Sequence, residues 1–480
     1  MDTFKIKKSQ LEQHTWFINY KKGLFSVVNL SYEERVKKIN SIEIKERKHV
    51  LYWMQSSHRT RFNLALDFSI FMGNRLNKPI LVFFGITNFP DANERNYKFM
   101  LEGLNDVRES LEKLGIKIFF RLKSPEMEVA KLSKNACLIV VDRGYLRENK
   151  EWYILAAKNV TCPLFQVEDN IVIPVMDASS KEEYSAATFR PKVNMKSGFY
   201  LRDIKTNKPK KASLDYKIES IDIKKSKKIF SYLNYDKKVT QTRFFEGGEN
   251  KAIYHLENFL INKLVNYKNL RNDPNSDVLS NMSPYLHFGQ ISPIQIAQKV
   301  LSSNNPKESK EVYLEELIVR RELAINYVFY NDKYASFEGL PNWAKNSLVE
   351  HKNDSREYNY SLKDLEEANT HDPYWNAAQN EMRITGKMHG YMRMYWGKKI
   401  LEWTKNPEKA FKIALYLNNI YELDGRDPCG FTGVAWCFGK HDRPWKERAI
   451  FGKIRYMNDK GLRRKFDIEG YVKKIRHLAV

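Results

Sequence analysis

"ILVFFGI", residues 80–86, is seven apolar residues in a row, dense in β-branched and aromatic side chains and too short for a buried helix. Such a run reads as a strand covered on both faces, as in a parallel sheet. Three further runs share its character: "HVLYWM" (49–54), "KIFFRL" (117–122) and "CLIVVD" (137–142). Between them lie "RTRFNLALDFSIFMGNRL" and "ERNYKFMLEGLNDVRESLEKLG", both with helical periodicity, the second closing on a glycine. Strand–helix alternation predicts a doubly wound α/β domain with a parallel sheet over residues 45–175, preceded by an N-terminal extension, 1–44. Such domains take small molecules at the carboxyl ends of their strands, but no G-x-G-x-x-G is present to specify one.

Downstream the pattern changes. Residues 176–244 are Lys-rich and weakly apolar ("KTNKPKKASLDYK", "IKKSKKIF"), which predicts a solvated connector. From 245 to 480 helical periodicity dominates, as in "AIYHLENFLINKL", "EVYLEELIVRRELAINYVFY", "PEKAFKIALYLNNI" and the long "AAQNEMRITGKMHGYMRMYWGKKILEWT" (377–404). An all-α domain follows. It holds six of the nine tryptophans, Trp343, Trp375, Trp396, Trp403, Trp436 and Trp445, interleaved with basic residues. Aromatic faces among cations suit stacked bases and neutralised phosphates.

The 81 Lys and Arg against 58 Asp and Glu give a net charge of +23, which favours a polyanionic partner such as nucleic acid. The four cysteines, Cys137, Cys162, Cys429 and Cys437, form neither a C-x-x-C pair nor a zinc spacing. With a charged N-terminus and no membrane-length apolar run, they point to a soluble intracellular protein, cytoplasmic if prokaryotic. "GVAWCFGKH" has the wrong glycine spacing and His in place of Ser/Thr for a phosphate loop. "HLE" (255–257) lacks the P-C-x-x-C partner of a zinc deaminase, and H-E-x-x-H and G-x-S-x-G are absent. Hydrolytic, covalent and metal-dependent mechanisms lose their usual signatures, and no metal site is expected.

Six segments in order, "SNMSPYLHFGQIS" (280–292), "EELIVRREL" (315–323), "HDPYWNAAQNEM" (371–382), "MRMYWGKKILEW" (392–403), "LNNIYELDGRDP" (417–428) and "KHDRPW" (440–445), resemble the class II cyclobutane pyrimidine dimer photolyases, and "VLYWMQSSHRTRFNLAL" (50–66) extends the resemblance into the first domain. The resemblance implies FAD, folded back on itself inside the helical domain and active as reduced anionic FADH⁻. It also implies light-driven repair of UV-damaged DNA, in which a flipped-out pyrimidine dimer takes an electron from the excited reduced flavin and returns it after the ring splits. No hydrolytic group is needed, which accounts for the empty motif search. An antenna chromophore, a deazaflavin or a folate in relatives, is left open, and a monomer is expected by analogy.

The same resemblance assigns residues. Tyr267 and Leu279, Ser280, Asn281, Met282 and Ser283 line the FAD, with Pro284 suited to a first helical turn. Arg393 pairs with Asp424 beside the flavin ring, and Asn418 faces its N5 with an amide that can donate or accept. Glu316 contacts the dimer bases, with Glu315 and Glu322 as rivals on the same stretch, and Met394 and Trp436 pack the dimer; beyond the resemblance, Arg271 and Arg443 are candidates for DNA phosphates or the strand gap left by flipping, against a plain surface or ion-pair role. Where other subgroups place a stacking tryptophan, this chain has Val319, Arg320 and Arg321, which shifts that role to Trp436. Trp396 and Trp403 are seven residues apart, two turns and about 10 Å along one helix face. The family order for an electron path is Trp396 nearest the flavin, then Trp375, then Trp403 toward solvent. Local sequence alone favours a packed core for these indoles. The competing readings are a cryptochrome-like photoreceptor, (6-4) photoproduct repair, and a flavin-free helical DNA-binding protein. Against the photoreceptor stand the Glu316, Met394 and Trp436 set and a chain that stops at 480 without a long polar tail.

Overall fold

Val50, Leu51, Tyr52 and Trp53 are fully buried, and alternate residues of this strand feed two separate cores. They belong to β2 (His49–Trp53), at the middle of a six-stranded sheet in a computed structural model that describes residues 34–202, 206–235 and 237–478. Most of the predicted 1–44 extension, with Trp16, lies outside the described residues. The other strands are β1 (Val36–Lys38), β3 (Ile80–Ile86), β4 (Lys117–Leu122), β5 (Ala136–Asp142) and β6 (Leu164–Val167), in the order β1-β6-β5-β2-β3-β4. Five strands are parallel, and β1 pairs antiparallel with β6. The sheet therefore begins before residue 45, and its antiparallel edge departs from the purely parallel expectation. Three-residue β1 and four-residue β6 are too short to show a period.

Helices α1 (Leu64–Leu76), α2 (Glu94–Lys113), α3 (Pro125–Leu132) and α4 (Arg147–Asn159) link the strands. Asn63 caps α1, and Asn93 and Asn96 cap α2 reciprocally. Val50, Tyr52, Val82 and Phe84 pack with the α1 and α2 side, while Leu51, Trp53, Leu81 and Phe83 pack with Val129 of α3 and Tyr153 and Ala156 of α4. The double winding follows from that alternation.

The connector is more ordered than its charge suggested. It carries α5 (Ala186–Tyr200), and its next stretch lies along β4: Ile221 N–H donates to the Phe120 carbonyl at 3.0 Å, and Ser213 and Ser220 hydroxyls accept from Lys117 and Phe120 N–H. These bonds occupy the backbone groups of an otherwise open sheet edge.

The helical region contains α6 (Ser283–His287), α7 (Lys307–Leu314) continued through a wider turn at Glu315–Arg320 into α8 (Arg321–Tyr330), α9 (Pro373–Thr385), α10 (Gly390–Trp403), α11 (Pro407–Tyr421) and α12 (Pro428–Cys437). The helical periodicity of 377–404 is divided between two helices: Gly386, left-handed at φ 81°, ends α9, and His389 caps the start of α10. The turn brings α10 back beside α9, and this antiparallel pair builds the site.

Two polar clamps join the halves. Arg59 pairs with Asp169 at 2.7 Å, both fully buried, and donates to the Gly289 carbonyl. From the start of α2, Asn93, Arg95 and Asn96 donate to the carbonyls of Ile420, Tyr421 and Leu423. The segment leaving α11 is thereby fixed in place. Among the described residues no helix is long and apolar enough to cross a membrane.

Candidate flavin and nucleic-acid site

Asp372 accepts from Tyr374 and Trp375 N–H at the start of α9, and this cap sets the rotation that turns Trp375 inward. Trp375 lies between the other two indoles: its ring centre is 6.5 Å from Trp396, planes 7° apart, and 5.6 Å from Trp403. Hydrogen bonds fix the rings. Trp396 Nε1 donates to Gln379 Oε1 at 2.9 Å, and Trp375 Nε1 donates to the Trp396 carbonyl at 3.0 Å. Trp403, expected toward solvent, is only 2% exposed, because Tyr360 and His371 cover it at 5.2 and 5.3 Å. Tyr358, stacked on His371 at 3.6 Å, is the exposed end of this aromatic pile.

One turn before Trp396 on α10, Arg393 meets the segment that leaves α11. The nearer carboxylate is Glu422, at 2.9 Å; Asp424, the partner expected from sequence, is at 3.9 Å. The expected Arg393–Asp424 pair is present and is joined by Glu422 as the nearer member, because that side chain is aimed inward by the Met388 N–H it accepts at 3.1 Å. Lys387 joins the cluster and donates to Asn281 Oδ1 at 2.8 Å; Asn281 itself is left-handed at φ 57°. Burial pushes Glu422 up to about 8 and lowers Lys387. Asn418, 1% exposed near the end of α11, donates to Asn419 Oδ1 at 3.3 Å. A Cβ on Gly430 would sit 2.9 Å from Asn418 Nδ2, so glycine there leaves room for the amide.

The expected cradle surrounds this cluster only in part. Asn281 is tied to it through Lys387. Met282 is buried beside half-buried Leu279, Ser280 and Ser283, which lead into the five-residue α6. Tyr267 is buried against Tyr313 at 5.3 Å. Arg393 Nε is buried with its N–H unpaired in the protein, and a flavin ring heteroatom would accept from it; Glu422 Oε2 and Asp424 Oδ1 are buried beside it without a donor. The donor set fits the cofactor.

The nucleic-acid candidates separate into two places. Glu316 and Arg271 meet directly, at 2.9 Å, both partly exposed. The rivals of Glu316 are engaged elsewhere: Glu315 is held by Arg190 and Arg320, and fully buried Glu322 accepts from Val172 and Ile173 N–H. Trp436 is half-buried with the Arg320 guanidinium 5.7 Å over its ring, and Met394 is half-buried on α10. Exposed Arg443 stands apart, 5.5 Å over Trp445. A hollow of about 180 Å³ lies at the carboxyl ends of β2, β3 and β5, lined by Ser56, Thr87, Arg143, His287, Arg426 and Asp427 among others. No group of three or more metal-ligating side chains occurs among the described residues.

Sequence reading missed Glu422, Lys387, Gln379 and Gly430. Glu422 was within reach of it, as a lone acid two residues before Asp424 in an apolar context; the others depend on tertiary approach.

A parallel-sheet domain is thus clamped to a helical domain in which indoles line up toward a buried arginine–carboxylate cluster. A family model described as DNA photolyase matches residues 50–210. A deoxyribodipyrimidine photo-lyase of Methanothermobacter thermautotrophicus is 50% identical over 93% of this chain and 99% of its own, and one of Arabidopsis thaliana is 41% identical over 90% and 89%. Among solved structures, a class III photolyase of Agrobacterium tumefaciens aligns with a TM-score of 0.69 at 18% identity, over 90% of this chain and 87% of its own. A Synechocystis cryptochrome also aligns at 0.69 and 18%, over 90% and 89%. The chain belongs to the DNA photolyase family. It is a DNA-repair flavoprotein of the lyase class.

Proposed function

We propose that the protein splits cyclobutane pyrimidine dimers in UV-damaged DNA, using light and the class II arrangement of residues. The observation that carries this reading is the chain of three indoles in contact, Trp403 edge-on to Trp375 and Trp375 parallel to Trp396, ending one helical turn from Arg393. When bound, FAD supplies light-driven one-electron donation. The protein's own side chains do the rest. Arg393 and Lys387 offset negative charge in the site, and Asn418 presents an amide to a heteroatom whichever protonation state it holds. Trp436, with Arg320 against its face, offers a stacking surface to an extruded pyrimidine dimer, and Met394 fills an irregular wall. Glu316, aligned by Arg271, accepts or shares a hydrogen at the pyrimidine edge. The three indoles relay an electron inward, held by bonds to Gln379 and the α10 backbone. The hollow at the strand ends is the natural seat for a second, light-collecting chromophore.

Binding is expected to be salt-dependent, as the net charge of +23 implies. The test uses two oligonucleotides, one with a cyclobutane dimer and one with a (6-4) product, each incubated with flavin-loaded protein under blue light. Restoration of the first alone supports the reading; restoration of the second alone moves the substrate class, and binding without restoration favours a photoreceptor.

A further inference from the structure

Glu422 is almost wholly buried, and charged groups approach it from every element packed around it. Arg393 comes from α10, Lys387 from the turn between α9 and α10 with Glu381 of α9 behind it, Arg95 from α2, and Asp424 follows on the same segment, faced by Arg426 and the Cys429 thiol. Three of the charged groups are committed elsewhere, Arg426 through its bonds to the Asp91 and Asn419 carbonyls. Glu381 accepts from the Tyr471 hydroxyl and His389 N–H, and Arg95 donates to the carbonyls of Tyr421, Met382 and Arg383. The working cluster is therefore two cations, Arg393 and Lys387, against two carboxyls, Glu422 and Asp424.

Two carboxylates held 2.9 and 3.9 Å from the same Arg393 nitrogen, and shielded from water, cannot both ionise cheaply. As ionised groups, Glu422 Oε2 and Asp424 Oδ1 both lack a donor. One proton resolves both problems, since a neutral carboxyl donates to its neighbour while Glu422 Oε1 still accepts from Arg393 and Met388. We propose that Glu422 and Asp424 share a single proton in the resting protein and that this pair regulates the charge of the flavin site. The role as regulator rests on the flavin reading above; the shared proton does not.

The balance is simple. With the proton, the pair carries one negative charge against two cations, and the site welcomes an anion. Without it, the pair carries two and the site is neutral. An electron arriving through the tryptophans reduces the bound flavin, the external thiol that finally supplies it is oxidised to a disulfide, and the added negative charge raises the pair's affinity for its proton. At alkaline pH the electron therefore brings one proton from water: a water O–H breaks, the carboxyl O–H forms, and hydroxide is left to the solvent. Burial, opposed by Arg393 and helped by Asp424, centres this exchange near pH 8.

The test compares wild type with Glu422→Gln, whose amide can still donate to Asp424 and so keeps the local geometry. Infrared spectra of the full chain without added FAD are recorded across the pH range. The wild-type minus Glu422→Gln difference is expected to contain a protonated-carboxyl band at neutral pH that is lost near pH 8; contributions common to both proteins, such as Glu322, cancel. Asp424→Asn serves if the first variant does not fold, and should lose the same titration. In FAD-loaded protein, the flavin's reduction potential is expected to break in its pH dependence near pH 8 in wild type and to show no break in Glu422→Gln. A difference spectrum without the band overturns the shared proton. An unchanged break in the variant overturns its role at the flavin. A chain that takes up no FAD overturns the flavin reading instead, and the infrared result still decides the pair.

Discussion

Replacing Trp375 with phenylalanine removes the middle ring of the indole stack while keeping an aromatic filler. Two costs follow from the geometry. The Nε1 donor to the Trp396 carbonyl disappears, and the smaller ring leaves a gap in a site with no solvent access. Together these predict a loss of about 1–3 kcal/mol in stability, small enough for the protein to stay folded. The kinetic effect is larger in kind. Successive ring separations of 6.5 and 5.6 Å are replaced by one jump past a phenyl ring that is hard to oxidise. Photoreduction of oxidised FAD, followed by bleaching under blue light with a thiol donor, is expected to slow by at least about tenfold, ~1.4 kcal/mol on the barrier. Protein reduced chemically beforehand should repair dimers as wild type does, since the stack only delivers the activating electron. A Trp375→Phe protein that photoreduces at the wild-type rate would refute the relay. One that fails to repair even when chemically reduced would assign Trp375 to site structure.

Three further outcomes are expected. Gly430→Ala places a methyl 2.9 Å from Asn418 Nδ2 and should cost about 1–3 kcal/mol while weakening retention of FAD on gel filtration. Trp436→Ala should weaken binding of dimer-containing DNA by about 1–3 kcal/mol without changing the flavin absorption spectrum, as a titration with labelled duplex would show. His58, buried against Phe84 and Phe288, is held down to about 4 by burial, so the folded state resists its protonation. Its contribution is present above the unfolded value near 6.5 and is lost as pH falls toward 4; the stability difference between wild type and His58→Gln should change in that window by up to ~3 kcal/mol in urea melts.

Much of the fold was legible because its elements obey one period each. β3, continuous and apolar, and α2, capped at Asn93 and closed before Gly115, could be read residue by residue. The helical domain was visible as a class, but Gly386 was hidden inside a convincing apolar repeat. α5 was hidden by Pro191 and Gly198, two residues that argue against a helix, set among the few buried positions Ala186, Phe189, Val193 and Tyr200. At the site, the residues carried by motif, Arg393, Asn418 and the three tryptophans, could be named from sequence. What could not be read was distance. Glu422 outranks Asp424 as partner of Arg393 because of a backbone N–H from Met388, thirty-four residues away in the chain. Gly430 likewise acquires meaning only where α12 passes Asn418.

The most direct measurement of the central claim is the count of cyclobutane dimers in a UV-irradiated oligonucleotide incubated with chemically reduced, FAD-loaded protein, in light and in darkness. Dimers should disappear in light, with intact pyrimidines recovered, and stay unchanged in the dark. Equal counts in light and dark would contradict the account.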